Sequence, residues 1–206
     1  MKVIWINPVT ANMYTPDALQ DFLSSHGYLQ VTASPHWLEA VKEKYKQVAK
    51  SAKHTLIDMR CPKIIDLIDA YALRDEVTIP EIEPILLHCG HEISEREELR
   101  GTEKIITTPC QALANLGNSL HLPETTFIPW NQFLSSLGGG PAALPPKESP
   151  IPPGFFDGLD CKKISVTGKD AICDLFENFS PADYDLIELL YCKNGCHNGD
   201  GICSCK

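Results

Sequence analysis

Short apolar runs alternate with segments of helical period along most of the chain, and this alternation predicts an α/β protein. Lys2 to Asn7 reads as a first strand. Thr15-Pro16-Asp17 then offers an N-cap, a proline at the first helical position and an acid in the first turn, so a helix is expected to about His26, closed by Gly27. Leu29 to Ala33 reads as a strand, and 36–51 as an amphipathic helix with Trp37, Leu38, Val41, Tyr45 and Val48 on its buried stripe. A strand from His54 ends at Cys61-Pro62 and leads into a helix with Ile64, Ile65, Leu67, Ile68 and Tyr71 at helical spacing, with Cys61 expected at its N-cap. The same unit recurs from Glu103 to Cys110, where Pro109-Cys110 precedes a helix carrying Ala112, Leu113, Leu116 and Leu120. Thr126 to Trp130 predicts a strand, Asn131 to Leu137 a short helix and Lys162 to Thr167 another strand. Lys169 to Phe179 follows as a helix burying Ile172, Leu175, Phe176 and Phe179, with Cys173 beside that face, and Asp185 to Leu190 as the last strand.

One stretch breaks the alternation. Between Gly138 and Gly154 six prolines leave no donors for a helix or sheet interior, so 138–154 reads as an extended connector or covering arm. At 206 residues the chain suffices for one core or for two small lobes. A net charge of −9 with no Lys/Arg run argues against nucleic acid as a partner. Met1 to Pro8 is too short for a signal-peptide core, and nothing approaches the roughly 20 apolar residues of a membrane span, so a cytoplasmic protein is expected. In a reducing compartment an odd number of cysteines, nine, points to ligands, reactive thiols and core residues and not to a disulfide framework.

Those cysteines concentrate at the end of the chain. After the apolar run 185–190 come Cys192, Cys196, Cys203 and Cys205, interspersed with three glycines and two Asn-Gly pairs. Small hydrophobes would not collect on such a loop; soft metal ligation is the readiest reason, with a redox dithiol or a disulfide-tied tail as alternatives. Glycines and Asn-Gly steps supply positive φ angles, which let successive N–H groups face a bound anion or cluster sulfides. Ligands of open α/β sheets gather at the carboxyl ends of strands, and three strands here deliver a cysteine at that end: Cys61, Cys110 and Cys192. With Cys196 they make four thiolates, the complement of a 4Fe-4S cluster; zinc accepts the same ligands. His88-Cys89-Gly90-His91 is an incomplete metal set, and Cys89 is an alternate ligand, as are Cys203 and Cys205. A compact zinc knot of Cys192, Cys196, Cys203 and Cys205 needs neither Cys61 nor Cys110. An enzyme working through the cluster or a thiolate at Cys61 or Cys110 is a further reading, with Glu188, His197, His88 and His91 as acid–base candidates.

Three stretches, in order, resemble the C-terminal catalytic domain of iron-only hydrogenases and the diverged proteins related to it. Arg60-Cys61-Pro62 is similar to that family's Cys-Cys-Pro motif, Thr108-Pro109-Cys110-Gln111-Ala112 to its Pro-Cys-x-Ala motif, and Glu188 to Cys196 to its Glu-x-Met-x-Cys-Pro-Gly-Gly-Cys motif. The resemblance implies that Cys61, Cys110, Cys192 and Cys196 ligate a 4Fe-4S cluster between two lobes. The departures fall elsewhere. Arg60 replaces a proton-relaying cysteine, Leu113-Ala114-Asn115 lacks a lysine that serves the diiron unit, and Leu190 replaces a methionine. No Cys-x-x-Cys-x-x-Cys run for ferredoxin-like clusters occurs.

The expectation is therefore an α/β fold of two small parallel-sheet lobes with flanking helices, 1–95 and 96–206, with an iron–sulfur site at their junction and a Cys-rich tail over 192–205. Electron transfer or redox sensing without hydrogen turnover is the implied role, with a redox protein such as a ferredoxin as partner.

Overall fold

A computed structural model describes residues 2–144, 149–150, 152–178, 180 and 183–202. In chain order its elements are β1 (Lys2–Trp5), α1 (Pro8–Ala11), α2 (Pro16–Ser25), β2 (Tyr28–Val31), α3 (Trp37–Ala49), β3 (Thr55–Ile57), α4 (Lys63–Ala70), β4 (Val77–Thr78), α5 (Ile85–Glu95), β5 (Glu103–Thr108), α6 (Gln111–Ser119), β6 (Thr125–Pro129), α7 (Trp130–Ser136), β7 (Lys163–Thr167), α8 (Lys169–Glu177) and β8 (Leu186–Leu190). They build two four-stranded sheets, both wholly parallel, in the orders β2-β1-β5-β6 and β4-β3-β8-β7.

The chain divides into two compact units, but not into the consecutive halves 1–95 and 96–206. Unit 1 takes Met1–Ser34, Leu86–Pro150 and Cys196–Lys206; unit 2 takes Pro35–Ile85 and Ile151–Gly195. The reason is strand pairing. In unit 1, Lys2 of β1 lies beside Glu103 of β5, and in unit 2, Ile57 of β3 lies beside Ile187 of β8. Pairing at that sequence separation leaves no mark on a local hydrophobic pattern.

Within unit 2 the two faces of the sheet bury different partners. Ile57, Ile187 and Leu189 pack with Ile64, Leu67 and Ile68 of α4 and Ile172 and Phe176 of α8. Leu56 and Leu186 pack with Val41 and Tyr45 of α3 and with Phe156. Strand alternation assigns the faces, since side chains one residue apart point oppositely. Leu38, expected on the buried stripe of α3, sits in its first turn and is 42% exposed.

In unit 1, α2 begins as expected: Thr15 accepts from the Ala18 N–H at 3.4 Å, Pro16 and Asp17 open the helix, and Gly27 follows it at φ +77°. The segment around His88-Cys89-Gly90-His91 is helix α5. Two helical glycines admit the buried ring of Phe127: a Cβ at Gly117 would lie 2.3 Å from Phe127 Cγ, and one at Gly90 2.5 Å from its Cζ. Strand β4 is two residues long and carries no pattern, while Phe179, expected at the end of α8, lies outside the described residues. No helix among the described residues is long and apolar enough to cross a membrane.

Gly117→Ala separates two opposed effects. Helix propensity favours alanine by about 1 kcal/mol, but overpacking against a fixed ring costs about 1–3 kcal/mol. Steric cost is expected to win, with a net loss of up to about 2 kcal/mol in urea unfolding; a stabilised variant would show that the Phe127 ring yields.

Candidate thiolate sites at the carboxyl edges of the sheets

Strand order reverses between β1 and β5 in unit 1, which makes that pair a switch point, while in unit 2 β3 and β8 are the central neighbours of the sheet. The cysteines singled out from the sequence lie on the chain leaving these strands.

In unit 2, Cys61 follows β3 and Cys192 follows β8, the two central neighbours of the sheet. Cys61 is not the N-cap. Pro62 takes helical angles and occupies that position, so Cys61 stands one residue further out, with its carbonyl accepting from the Ile64 N–H at 3.1 Å. After Cys192 the chain turns sharply: Gly195 N–H donates to the Cys192 carbonyl at 3.1 Å, and Asn194 and Gly195 have φ of +62° and +114°. The Asn-Gly step thus takes the left-handed backbone expected of it, whereas Gly199 of the second step is not among the positive-φ glycines. Thr167 Oγ1 accepts from the Asn194 N–H at 3.1 Å and anchors that turn.

Beneath Cys61 lies a buried ionic network that the sequence reading left unassembled. Asp58, just past the end of β3, and Glu188 of β8 are both reached by Arg60. Its Nε and Nη2 donate to Asp58 at 3.0 and 2.7 Å, and Nη2 also donates to Glu188 at 2.5 Å. Glu188 accepts further bonds from the Gly154 N–H at 2.6 Å, the Phe155 N–H at 3.1 Å and the Ser165 hydroxyl. The Phe155 ring lies 3.8 Å from the guanidinium carbon. Burial alone would lower the Arg60 pKa, but the charges and hydrogen bonds of Asp58 and then Glu188 outweigh it and raise it above the ordinary arginine value. Burial, reinforced by the Asp58 charge, likewise raises the Tyr45 hydroxyl, which accepts from the Met59 N–H at 2.8 Å. Glu188, offered as an acid–base candidate, is therefore fully engaged as a structural anion. Of the guanidinium nitrogens of Arg60, Nη1 makes no hydrogen bond among the described residues.

In unit 1, Cys110 is the N-cap of α6, in extended backbone, and its side chain makes no capping bond. Cys196 opens a 3-10 turn, Cys196–Asn198, and the chain beyond it lies on the backbone at Pro109-Cys110. The Gly201 N–H donates to the Pro109 carbonyl at 3.0 Å, and a Cβ at Gly199 would fall 2.2 Å from that oxygen. Thr108 Oγ1 donates to the Cys110 carbonyl at 2.9 Å.

The structure thus brings Cys61 and Cys192 to one sheet edge in unit 2, and Cys110 and the Cys196 loop together in unit 1. Among the described residues no group of three or more His, Cys, Asp or Glu side chains has a metal-binding arrangement. Cys203 and Cys205, and with them the zinc knot, lie outside the described residues. Cys89 is buried in α5, where desolvation, then the charge of Glu92, pushes its thiol up to about 12, an unfavourable setting for a thiolate ligand. Cys161 and Cys173 are partly buried at the margins of the unit 2 core.

The donor set suits a thiolate-binding group. Four thiols occupy chain that has left the sheet ladders, left-handed backbone follows Cys192, and an unused buried donor lies on the residue before Cys61. Searches against family models, curated proteins and solved structures find no match to the chain.

Two outcomes test this arrangement. Arg60→Met leaves two buried carboxylates without their cation and is expected to cost about 3–5 kcal/mol in urea unfolding, whereas Arg74→Met, at an exposed pair with Asp69, leaves stability near wild type; equal effects would show that the buried network is not needed. For Cys89 the folded thiol titrates near 12 and the unfolded one near 9, so between pH 9 and 12 the unfolded state releases the proton first and stability falls as pH rises. Cys89→Ala is expected to flatten that part of the pH–stability curve relative to wild type, and parallel curves would refute the shift.

Proposed function

We propose that the protein binds a 4Fe-4S cluster through Cys61, Cys110, Cys192 and Cys196 and acts in electron transfer or redox sensing without hydrogen turnover. One observation carries the reading: Cys61, Cys110 and Cys192 each stand on the chain leaving the carboxyl end of a parallel strand, β3, β5 and β8, and Cys196 stands in the loop that follows Cys192. Bound there, such a cluster supplies a one-electron couple, tuned by hydrogen bonds to sulfur and by solvent access.

The protein's own residues have roles that support this division. Asp58 and Glu188 hold Arg60, and through it the backbone that carries Cys61. Arg60 stands where the hydrogenase resemblance has a relay thiol, and its guanidinium does not release a proton at physiological pH. Leu113 and Ala114 are buried on α6 and Leu190 is buried on β8, apolar where that resemblance has groups serving a diiron unit. The partner in this reading is a redox protein such as a ferredoxin.

Metal and sulfide analysis of protein purified without oxygen tests the proposal. About four irons and four sulfides per chain are expected, with a broad visible band that bleaches on reduction and is lost in Cys61→Ser and Cys110→Ser. One zinc and no sulfide, retained in both serine variants, would overturn it in favour of the C-terminal zinc knot.

A further inference from the structure

Asp200 lies eighty-nine residues from Gln111, yet its carboxylate Oδ1 accepts from the Gln111 N–H at 2.9 Å. Gln111 is the first residue of α6, a nine-residue helix whose N-cap is Cys110. A helix leaves its first N–H groups without internal partners, and the N-cap side chain ordinarily accepts from one of them. Cys110 does not do so. The acceptor at the head of α6 comes instead from the loop that carries Cys196.

That loop is tied at more than one point. The Asp200 carbonyl accepts from Asn131 Nδ2 at 2.8 Å, the Gly201 carbonyl from the Asn131 N–H at 2.8 Å, and the Gly201 N–H donates to the Pro109 carbonyl at 3.0 Å. Gly199 and Gly201 permit the approach, since a Cβ at Gly201 would meet the Cys110 nitrogen at 2.9 Å. Most of these bonds are backbone bonds that any residue at 200 would allow. The carboxylate alone is specific to this side chain.

We propose that Asp200 is a positioning residue for the thiolate site: by capping α6 it leaves the Cys110 sulfur out of helix capping and holds the Cys196 loop on the strand end that carries Cys110. An anionic acceptor suits that place because the helix N-terminus carries partial positive charge. The proposal rests on the cluster reading for what the two sulfurs ligate, and on the geometry of unit 1 alone for the clamp.

Asp200→Ala removes the acceptor, whereas Asp200→Asn keeps an oxygen in the same place without the charge. Two readouts on the full chain as isolated separate the claims. Amide hydrogen exchange at Gln111 is expected to quicken about fivefold in Asp200→Ala, the effect of losing a helix cap, and to stay near wild type in Asp200→Asn. Iron loss to a chelator, followed by the visible band, is expected to be several-fold faster in Asp200→Ala and rescued in Asp200→Asn. Unchanged exchange in the alanine variant would overturn the clamp. Quickened exchange with unchanged iron retention would overturn its role in holding the ligands and leave the cluster reading standing. A wild-type protein without iron would sink the cluster reading, and the ligand-positioning role with it, while exchange still decides whether Asp200 clamps the loop.

Discussion

Both units depend on one constraint: a central parallel pair made from strands far apart in the chain, β1 with β5 and β3 with β8. Parallel neighbours cannot be joined by a tight turn, so each strand leaves its sheet at the same edge and returns through a helix. Where strand order reverses, the departing chains diverge on opposite faces and open a crevice. Residues 109–110 lie at that point in unit 1, and in unit 2 residues 58–61 and 191–192 leave the carboxyl ends of the central pair β3 and β8. Each cysteine of the candidate set occupies chain that has just left the ladder or the loop following it.

The second constraint is electrostatic. Glu188 lies in the middle of β8, in a run of five buried residues, where an isolated carboxylate would be costly. It is stabilised by Arg60, two backbone N–H groups and a hydroxyl, so nearly every lone pair has a donor. Arginine suits the place better than lysine because its planar fork engages Asp58 through Nε and Nη2 while Nη2 also reaches Glu188. Two consequences follow for the chain around it. The Arg60 N–H is tied to Asp58 at 3.0 Å, which fixes the path into Cys61. The far end of the Pro/Gly-rich connector is pinned through Gly154 and Phe155, so a stretch with few donors of its own acquires a definite docking point.

Much of this was readable from local pattern, because helices with caps and apolar stripes, and strands of five or six apolar residues, announce themselves. α2, α3, α6, α8, β5 and β8 were placed within a few residues. What escaped was set by long-range contact. β4 is two residues long and exists only because Thr55 and Leu56 lie beside Val77 and Thr78. Gly90 discourages a helix assignment for α5, and its reason is the Phe127 ring on another element. Discontinuous units follow from pairings that no window spans. The place of Cys61, Cys110 and Cys192 after strands was legible in the sequence, but the ionic network beneath Cys61 was not. One signal was present: Glu188 in an otherwise apolar run, since a charge in such a run is rarely left unpaired. Its partner, Arg60, was noticed only as a departure from a motif. Asp200 offered less, being one acid among glycines whose partner is a backbone N–H far away in sequence.

The two units meet the same difficulty in a similar way. A thiol at the end of a strand sits on irregular backbone, which does not hold a sulfur at a defined place unless something outside the ladder fixes it. In unit 2 the fixing group is Asp58, which accepts from the backbone and side chain of Arg60; in unit 1 it is Asp200, which accepts from the backbone of Gln111. Each acid engages the residue next to a cysteine. On electrostatic grounds alone this is a poor choice, because a carboxylate nearby opposes formation of a thiolate. Cys89 shows the cost, for there burial and the charge of Glu92 together push the thiol up to about 12. An acid beside a ligand cysteine is tolerable where its charge is already spent on an arginine or a helix N-terminus, and Asp58 and Asp200 have those two partners. The negative charge that positions the backbone is thereby offset before it reaches the sulfur.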